Sequence, residues 1–143
     1  MADTDALWTM IAANRFAALA TLKRDGRPQI SNIIYAYDAD DRTAIVSVTA
    51  SRAKTANLRR DPRASLYVTS ADRWSYVVAE GDASLTEVAA DPDDEVVEAL
   101  VDYYRRLSGE HPDWDEFRRT QVAEGRLVAR IRLDHVYGIP ARA

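Results

Sequence analysis

The sequence predicts a mainly β protein with some helix, its antiparallel strands curled into a closed or half-open barrel. Three observations predict it. Short segments rich in β-branched and aromatic residues recur between polar turns. One of those turns, Lys23-Arg24-Asp25-Gly26, carries the Asp-Gly signal of a hairpin. Helical periodicity is grouped in a few stretches instead of alternating with every strand, which disfavours a parallel sheet. The 143 residues, 47% hydrophobic and 29% charged, suit one domain over 1–143 with its own core. No internal repeat, low-complexity tract or Gly/Ser-rich linker divides the chain.

Asp5 to Ala13 reads as a short amphipathic helix, started by Asp3, Thr4 or Asp5 and burying Leu7, Trp8 and Ile11. Phe16 to Leu22 is a compact apolar strand, and Pro28 to Tyr37 returns from the hairpin turn as its partner. After a polar turn at Asp38 to Arg42, Thr43 to Thr49 alternates Ala44, Val46 and Val48 against Ile45, Ser47 and Thr49, as a half-buried strand does. Ser51 is suited to cap a helix from Arg52 to Arg60, which Asp61-Pro62 ends because the residue before a proline avoids the helical region. Ala64 to Thr69 is a strand. Trp74 to Thr86 is a longer one, with Val77, Ala79, Gly81, Ala83 and Leu85 on one face and a bulge marked by the glycine. Asp93 to Leu107 is the strongest helix, with acids at its start and Val96, Val97, Leu100, Val101, Tyr104 and Leu107 at helical spacing. Trp114 to Glu124 follows as a weaker helix. Leu127, Ala129, Ile131 and Leu133 alternate in a last strand, which Val136-Tyr137-Gly138 extends after a turn.

Composition removes whole classes of chemistry. With no cysteine there is no disulfide frame, thiol nucleophile, zinc knuckle or iron–sulfur cluster, and two histidines do not make a histidine-rich metal site. No run approaches the roughly 18 apolar residues of a membrane span. The start carries Asp3 and Asp5 instead of a cationic signal-peptide segment, so the expected location is the cytoplasm. There is no Gly-x-Ser-x-Gly elbow, phosphate loop or dinucleotide glycine fingerprint, which argues against a nucleophilic hydrolase. His111 and His135 read as structural.

The net charge of −4 hides an uneven distribution. Thirteen acids stand against only Arg105 and Arg106 between Glu80 and Glu116, as on a solvated face. Between Arg52 and Arg63 five cations stand against Asp61 alone, but no aromatic residue is interleaved there, which argues against nucleic acid. Within that stretch Arg52 and Lys54 occupy the first turn of a helix, where the macrodipole already disfavours positive charge. Either the helix is a solvated basic one, or an anion sits at its N-terminus, held by backbone N–H groups and both side chains. Arg59, Arg60 and Arg63 read as surface charge. Gln29, Ser31 and Asn32 interrupt an apolar strand and offer hydrogen-bond partners to the edge of a heteroaromatic ring. Residues 29 and 31 share a face and 32 lies opposite, so they serve one pocket only through a bulge or backbone contacts. Trp74 and Tyr76 either stack on a planar ligand or close a barrel end.

Taken in order, Leu19-Ala20-Thr21-Leu22, Asp25-Gly26-Arg27-Pro28-Gln29-Ile30-Ser31-Asn32, Arg52-Ala53-Lys54-Thr55-Ala56-Asn57-Leu58, Asp61-Pro62-Arg63-Ala64 and Glu80-Gly81 resemble the split β-barrel family. That family contains pyridoxamine 5′-phosphate oxidase-like flavoproteins and reductases that use the deazaflavin coenzyme F420. The likeness runs from about Leu7 to Gly138, and Trp74-Ser75-Tyr76 with His135-Val136-Tyr137-Gly138 are similar to the deazaflavin branch in particular. The resemblance implies a six-stranded antiparallel split β-barrel with peripheral helices, forming a homodimer that holds a cofactor in grooves between subunits. By position it implies that Arg52 and Lys54 meet the cofactor's phosphate and ring region, with Arg59 a further anion contact. Gln29, Ile30, Ser31 and Asn32, with Ser47, Val48 and Thr49, would line the tricyclic ring; Ala53 and Asn57 complete the helix surface, and Trp74 approaches the ring or the substrate.

The implied activity is hydride transfer from reduced coenzyme F420 to a conjugated small-molecule acceptor, with no nucleophile, no metal and no membrane or nucleic-acid partner. Lys54 would act electrostatically on negative charge developing during transfer. Two alternatives stay open at this stage. One is an oxidase-like enzyme using flavin mononucleotide, whose phosphate suits the same Arg52 and Lys54; the other is a non-catalytic carrier of coenzyme F420.

Overall fold

Asp25-Gly26 builds the first hairpin of the computed structural model, which describes residues 4–141. Gly26 takes φ +86°, a conformation open to glycine without a Cβ penalty, and its N–H donates to the Lys23 carbonyl at 2.9 Å. The turn aligns β1 (Phe16–Leu22) with β2 (Pro28–Ile34), setting Leu22 opposite Pro28 and Phe16 opposite Ile34.

The strand expected from Pro28 to Tyr37 is two strands, because Tyr35 breaks it. Its N–H turns to the Arg15 carbonyl at 2.8 Å, and its fully buried hydroxyl donates to the Ile11 carbonyl at 2.6 Å. That carbonyl lies in α1 (Thr4–Ala13), which buries Leu7, Met10 and Ile11 and leaves Trp8 half-buried under the Arg42 guanidinium. Asp3, one of the expected starting residues of this helix, lies outside the described residues. Beyond Tyr35 the chain resumes as the three-residue β3 (Ala36–Asp38), so the sheet has seven strands instead of the expected six.

The remaining strands are β4 (Thr43–Thr49), β5 (Arg63–Thr69), β6 (Tyr76–Leu85) and β7 (Arg126–Ile139). All neighbours are antiparallel, in the order β2-β1-β5-β6-β7-β4-β3. The two edge strands are therefore successive in the chain, joined by Tyr35 alone, and the sheet curls into a half-barrel around Leu19, Val46, Val48, Leu66, Val77 and Ile131. β7 runs as one long strand through Val136-Tyr137-Gly138 with no turn. Its irregularity is at Asp134, which is skipped where Glu80 faces His135 and Gly81 faces Leu133, so the bulge lies across from the glycine. Gly81 is needed for a different reason: a Cβ there would run into the Arg132 carbonyl.

β3 pairs with Thr43, Ala44 and Ile45 only. The rest of β4, Val46 to Thr49, bonds β7 on one side and no strand on the other, while β2 bonds β1 alone. This is the split in the barrel. Outside it, α3 (Glu95–Ser108) packs Val96, Val97, Leu100 and Val101 on Val128 of β7, with Trp114, Phe117 and Val122 of α4 (Trp114–Ala123) against the same cluster.

Candidate functional site

α2 (Ala53–Arg60) follows directly from the open part of β4. Arg52, not Ser51, occupies its N-cap, and no side chain caps it. The turn tightens one residue later than expected because Thr49's carbonyl accepts both the Arg52 N–H at 3.1 Å and the Thr55 hydroxyl at 2.7 Å. With no acid in the first turn, the helix start presents Arg52 and Lys54 with the positive end of the helix dipole uncompensated. At the other end Asp61 is chelated by Arg63, whose hydrogen bonds bring its carboxyl down to about 2.

The split of the barrel forms one wall of a cavity of about 330 Å³. Asn32, Ile33 and Ile34 of β2 and Val46 and Ser47 of β4 line it, with Lys54 from α2. Lys54 Nζ lies 3.3 Å from Ser31 Oγ. Burial lowers the Lys54 ammonium below the ordinary lysine value, and the nearby cations Arg52 and Arg126 lower it further. α3 and α4 close the opposite wall with Leu100, Tyr103, Tyr104, Phe117 and Gln121, and Arg126 enters from the start of β7. The Tyr103 hydroxyl donates to the Ile34 carbonyl at 2.7 Å, and burial raises its pKa above the usual tyrosine value.

A second, more open groove of about 730 Å³ lies along α2 and the hairpin turn, where Lys23, Arg24, Arg59 and Arg60 gather with Gln29, Ala53, Ala56, Asn57 and a single acid, Asp25. Both spaces draw on the first turn of α2: Ala53 lines the groove and Lys54 the cavity. Beneath the groove a polar chain fixes the helix to the hairpin: Arg60 donates to Asn57, Asn57 to the Thr21 hydroxyl, and Thr21 to Gln29.

The expected site residues separate accordingly. Asn32, Ser47 and Lys54 share the cavity, with Ser31 bonded to Lys54; Gln29, Ala53, Asn57 and Arg59 share the groove, and Arg52 stands exposed at the helix start. Asn57 is committed to the polar chain and is 7% exposed. The Val48 side chain is buried in the barrel core, and the strand it belongs to meets the split through its backbone edge. Ile30 points outward, 63% exposed. Trp74 precedes β6 instead of belonging to it. It is 80% exposed and lines a separate pocket with Ser70, Asp72, Ser75, Ile139, Pro140 and Ala141. Sequence reasoning did not find Lys23, Arg24, Tyr103, Gln121 or Arg126. The Asp-Gly turn explains Lys23 and Arg24 as hairpin residues, and Arg126 reaches Ser47 from 79 residues away. Among the described residues no group of His, Cys, Asp and Glu is arranged to hold a metal, and no helix is long and apolar enough to cross a membrane.

A half-barrel whose open seam offers backbone edges, flanked by cations and aromatic rings, has the chemistry to take a planar anion. The sequence profile of the pyridoxamine 5′-phosphate oxidase family matches residues 3–139, and the chain belongs to that family. Solved structures agree on the fold. A conserved hypothetical protein from Mycobacterium tuberculosis matches with TM-score 0.72 at 24% identity, over 98% of this chain and 85% of that one. A FAD-binding protein from Mesorhizobium loti matches with TM-score 0.69 at 23% identity, over 99% and 96%. An F420 reductase matches with TM-score 0.65 at 20% identity, over 90% and 94%.

Proposed function

We propose that this protein is an oxidoreductase that uses reduced coenzyme F420 as hydride donor to a conjugated small-molecule acceptor. The observation that carries the reading is the uncapped first turn of α2, where Arg52 and Lys54 stand with no acid beside them, together with Lys23, Arg24, Arg59 and Arg60 gathered in the groove along the same helix and the hairpin turn. A deazaflavin with a long polyanionic tail needs cations well beyond the first phosphate, and this groove supplies four against Asp25. When bound and reduced, the coenzyme supplies a hydride from C5 of its ring.

The chain's own residues bind and orient. Arg52 and Lys54 hold the phosphate and face the ring's negative edge, and Arg59 extends the cationic track. Gln29, Ile30, Ser31 and Asn32 on one side, and Ser47, Val48 and Thr49 on the other, line the ring. Residues with opposite-facing side chains can share this task because the two strand edges contribute backbone N–H and C=O groups. Lys54 would stabilise negative charge developing on the ring or the acceptor during transfer.

A homodimer completes the site in this reading. Phe16, Ile30, Ile34, Tyr67, Tyr137 and Ile139 are exposed on the outer face of the sheet, an apolar area of the kind that marks an interface. Trp74 would reach the cofactor from the second copy. Sedimentation of the Tyr67→Lys variant as a monomer beside a dimeric parent supports this, and a monomeric parent contradicts it.

The family match gives a second reading its support: flavin mononucleotide with oxygen, its phosphate on the same Arg52 and Lys54. Multiple-turnover oxidation of reduced coenzyme F420 against a panel of quinone-like and other conjugated acceptors tests the main reading. Catalytic turnover supports it. Stoichiometric binding without turnover makes the protein a carrier, and a yellow protein that releases peroxide moves it to the flavin oxidases.

A further inference from the structure

We infer that the cavity under α3 and α4 is the acceptor site and that Arg126 is its specificity-determining residue, taking a planar conjugated molecule by an ionised carboxylate or enolate. Only the word acceptor rests on the coenzyme F420 reading; the anion site itself does not.

Charge balance makes the first argument. Lys54 and Arg126 both line the cavity, and among the described residues no aspartate or glutamate does. Lys54 has the neutral hydroxyl of Ser31 as its hydrogen-bond partner. Arg126 Nε is held by Glu124 at 3.1 Å, while Nη1 lies 3.5 Å from Ser47 Oγ, a cavity residue. Glu124 therefore fixes one edge of the guanidinium and leaves Nη1 directed to the cavity side. Two half-buried cations share one countercharge, so the cavity carries an excess of positive charge that an anion would balance. A planar guanidinium fork matches a carboxylate in two parallel hydrogen bonds, which a lysine cannot reproduce.

Shape makes the second. The wall opposite the strand edges is aromatic: Tyr104 and Phe117 meet at 5.2 Å and 64°, with Trp114 5.7 Å from Tyr104 and 5.4 Å from Phe117. His111 packs on the same cluster, and Arg105 lies over Trp114. Such edge-to-face packing makes a stiff apolar surface for a flat ligand. At about 330 Å³ the cavity stands at the small end of ligand sites, enough for one or two fused rings carrying a single acidic group. In the coenzyme F420 reading the ring would rest on the backbone edges of the open seam, so a molecule in this cavity would meet it at Asn32 and Ser47, which border both.

The test titrates the wild-type protein with 2-naphthoate and with its neutral analogue 2-naphthalenemethanol, by fluorescence, before and after saturation with oxidised coenzyme F420. Coenzyme F420 and flavin mononucleotide are titrated into the same preparations, so a failure of the cofactor reading registers separately. Wild type is expected to prefer the carboxylate by roughly tenfold or more, the worth of one charge-assisted pair. Arg126→Gln should erase that preference and leave cofactor affinity within about twofold of wild type. Arg126→Lys should recover part of it, which a loss caused by misfolding would not do. The inference is overturned if wild type shows no preference, if Arg126→Gln retains it, if Arg126→Gln weakens the cofactor by the same factor, or if bound coenzyme F420 displaces naphthoate one for one.

Discussion

Helices α2 and α3 both carry a pair of arginines in the last turn but start by opposite rules. In α3 the Asp94 carboxylate caps the first turn by accepting the Val97 N–H at 2.9 Å, Glu95 and Glu98 follow, and Arg105 and Arg106 sit in the last turn. Its apolar stripe, Val96, Val97, Leu100 and Val101, is buried. In α2 the N-cap is an arginine with no side-chain bond, the first turn holds a lysine and no acid, and its cations Arg59, Arg60 and Lys54 face open spaces. Local physics explains α3 completely. It does not explain the start of α2, which breaks capping and dipole rules together, and that violation supports the proposal that an anion completes it.

The difference can be broken or sharpened at specific residues. The largest effect is expected at Lys54: Lys54→Ala should weaken binding of the phosphate-bearing cofactor by roughly tenfold to a hundredfold, the worth of a charge-assisted hydrogen bond. Titrations of wild type and variant at low ionic strength check this, and raising the salt should narrow the gap. A smaller effect follows from proton linkage. Lys54's pKa lies below the ordinary 10.5, chiefly through burial and then through Arg52 and Arg126. An anion favours the charged form, so affinity should fall as pH rises through that lowered pKa, and Lys54→Arg, whose charge does not titrate in this range, should flatten the profile.

For α3 the expected effect is on stability alone. Asp94→Ala should cost about 1 kcal/mol, seen as a few degrees in the melting temperature, with cofactor affinity unchanged. Burial raises the Asp94 pKa, but the N–H groups of Ala90, Val97, Asp91 and Val96 together outweigh it and hold the carboxyl below its usual value. Because the folded value is the lower one, this stabilisation is complete above the ordinary carboxylate range and is lost as pH falls through it toward the folded value. A melting curve of wild type and Asp94→Ala between neutral and acid pH should therefore converge at the acid end. The smallest effect is the most diagnostic: Lys54→Met should leave the ligand-free melting temperature unchanged or slightly raised, since it removes a partly buried, repelled cation.

The same contrast decides what the sequence could reveal. β1 and β4 fall on their expected bounds because each is a short period-two run between clear turns, and α3 does so within two residues because its cap, charges and stripe agree. Tyr35 defeated the reading of β2 and β3. A tyrosine inside an aromatic run looks like strand, and only its bonds to Arg15 and Ile11 make it a break. The proposed anion site at Arg52 and Lys54 shows in the sequence because it violates a local rule. Arg126 and Tyr103 violate none: an arginine starting a strand and a tyrosine on an amphipathic helix are ordinary until the fold carries them to Ser47 and Ile34. Trp74 was legible as an aromatic candidate, but its place in a separate pocket depends on the third dimension.

In the proposed function the first turn of α2 and the open seam of the barrel hold a phosphate-bearing tricyclic cofactor, and the basic groove favours the deazaflavin. Paired equilibrium titrations of wild type and Lys54→Ala with oxidised coenzyme F420 and with flavin mononucleotide test it most directly. Coenzyme F420 is expected to bind tightly, more so than flavin mononucleotide, and its binding is expected to collapse in the variant. Binding of neither cofactor, or equal binding by wild type and Lys54→Ala, would contradict it.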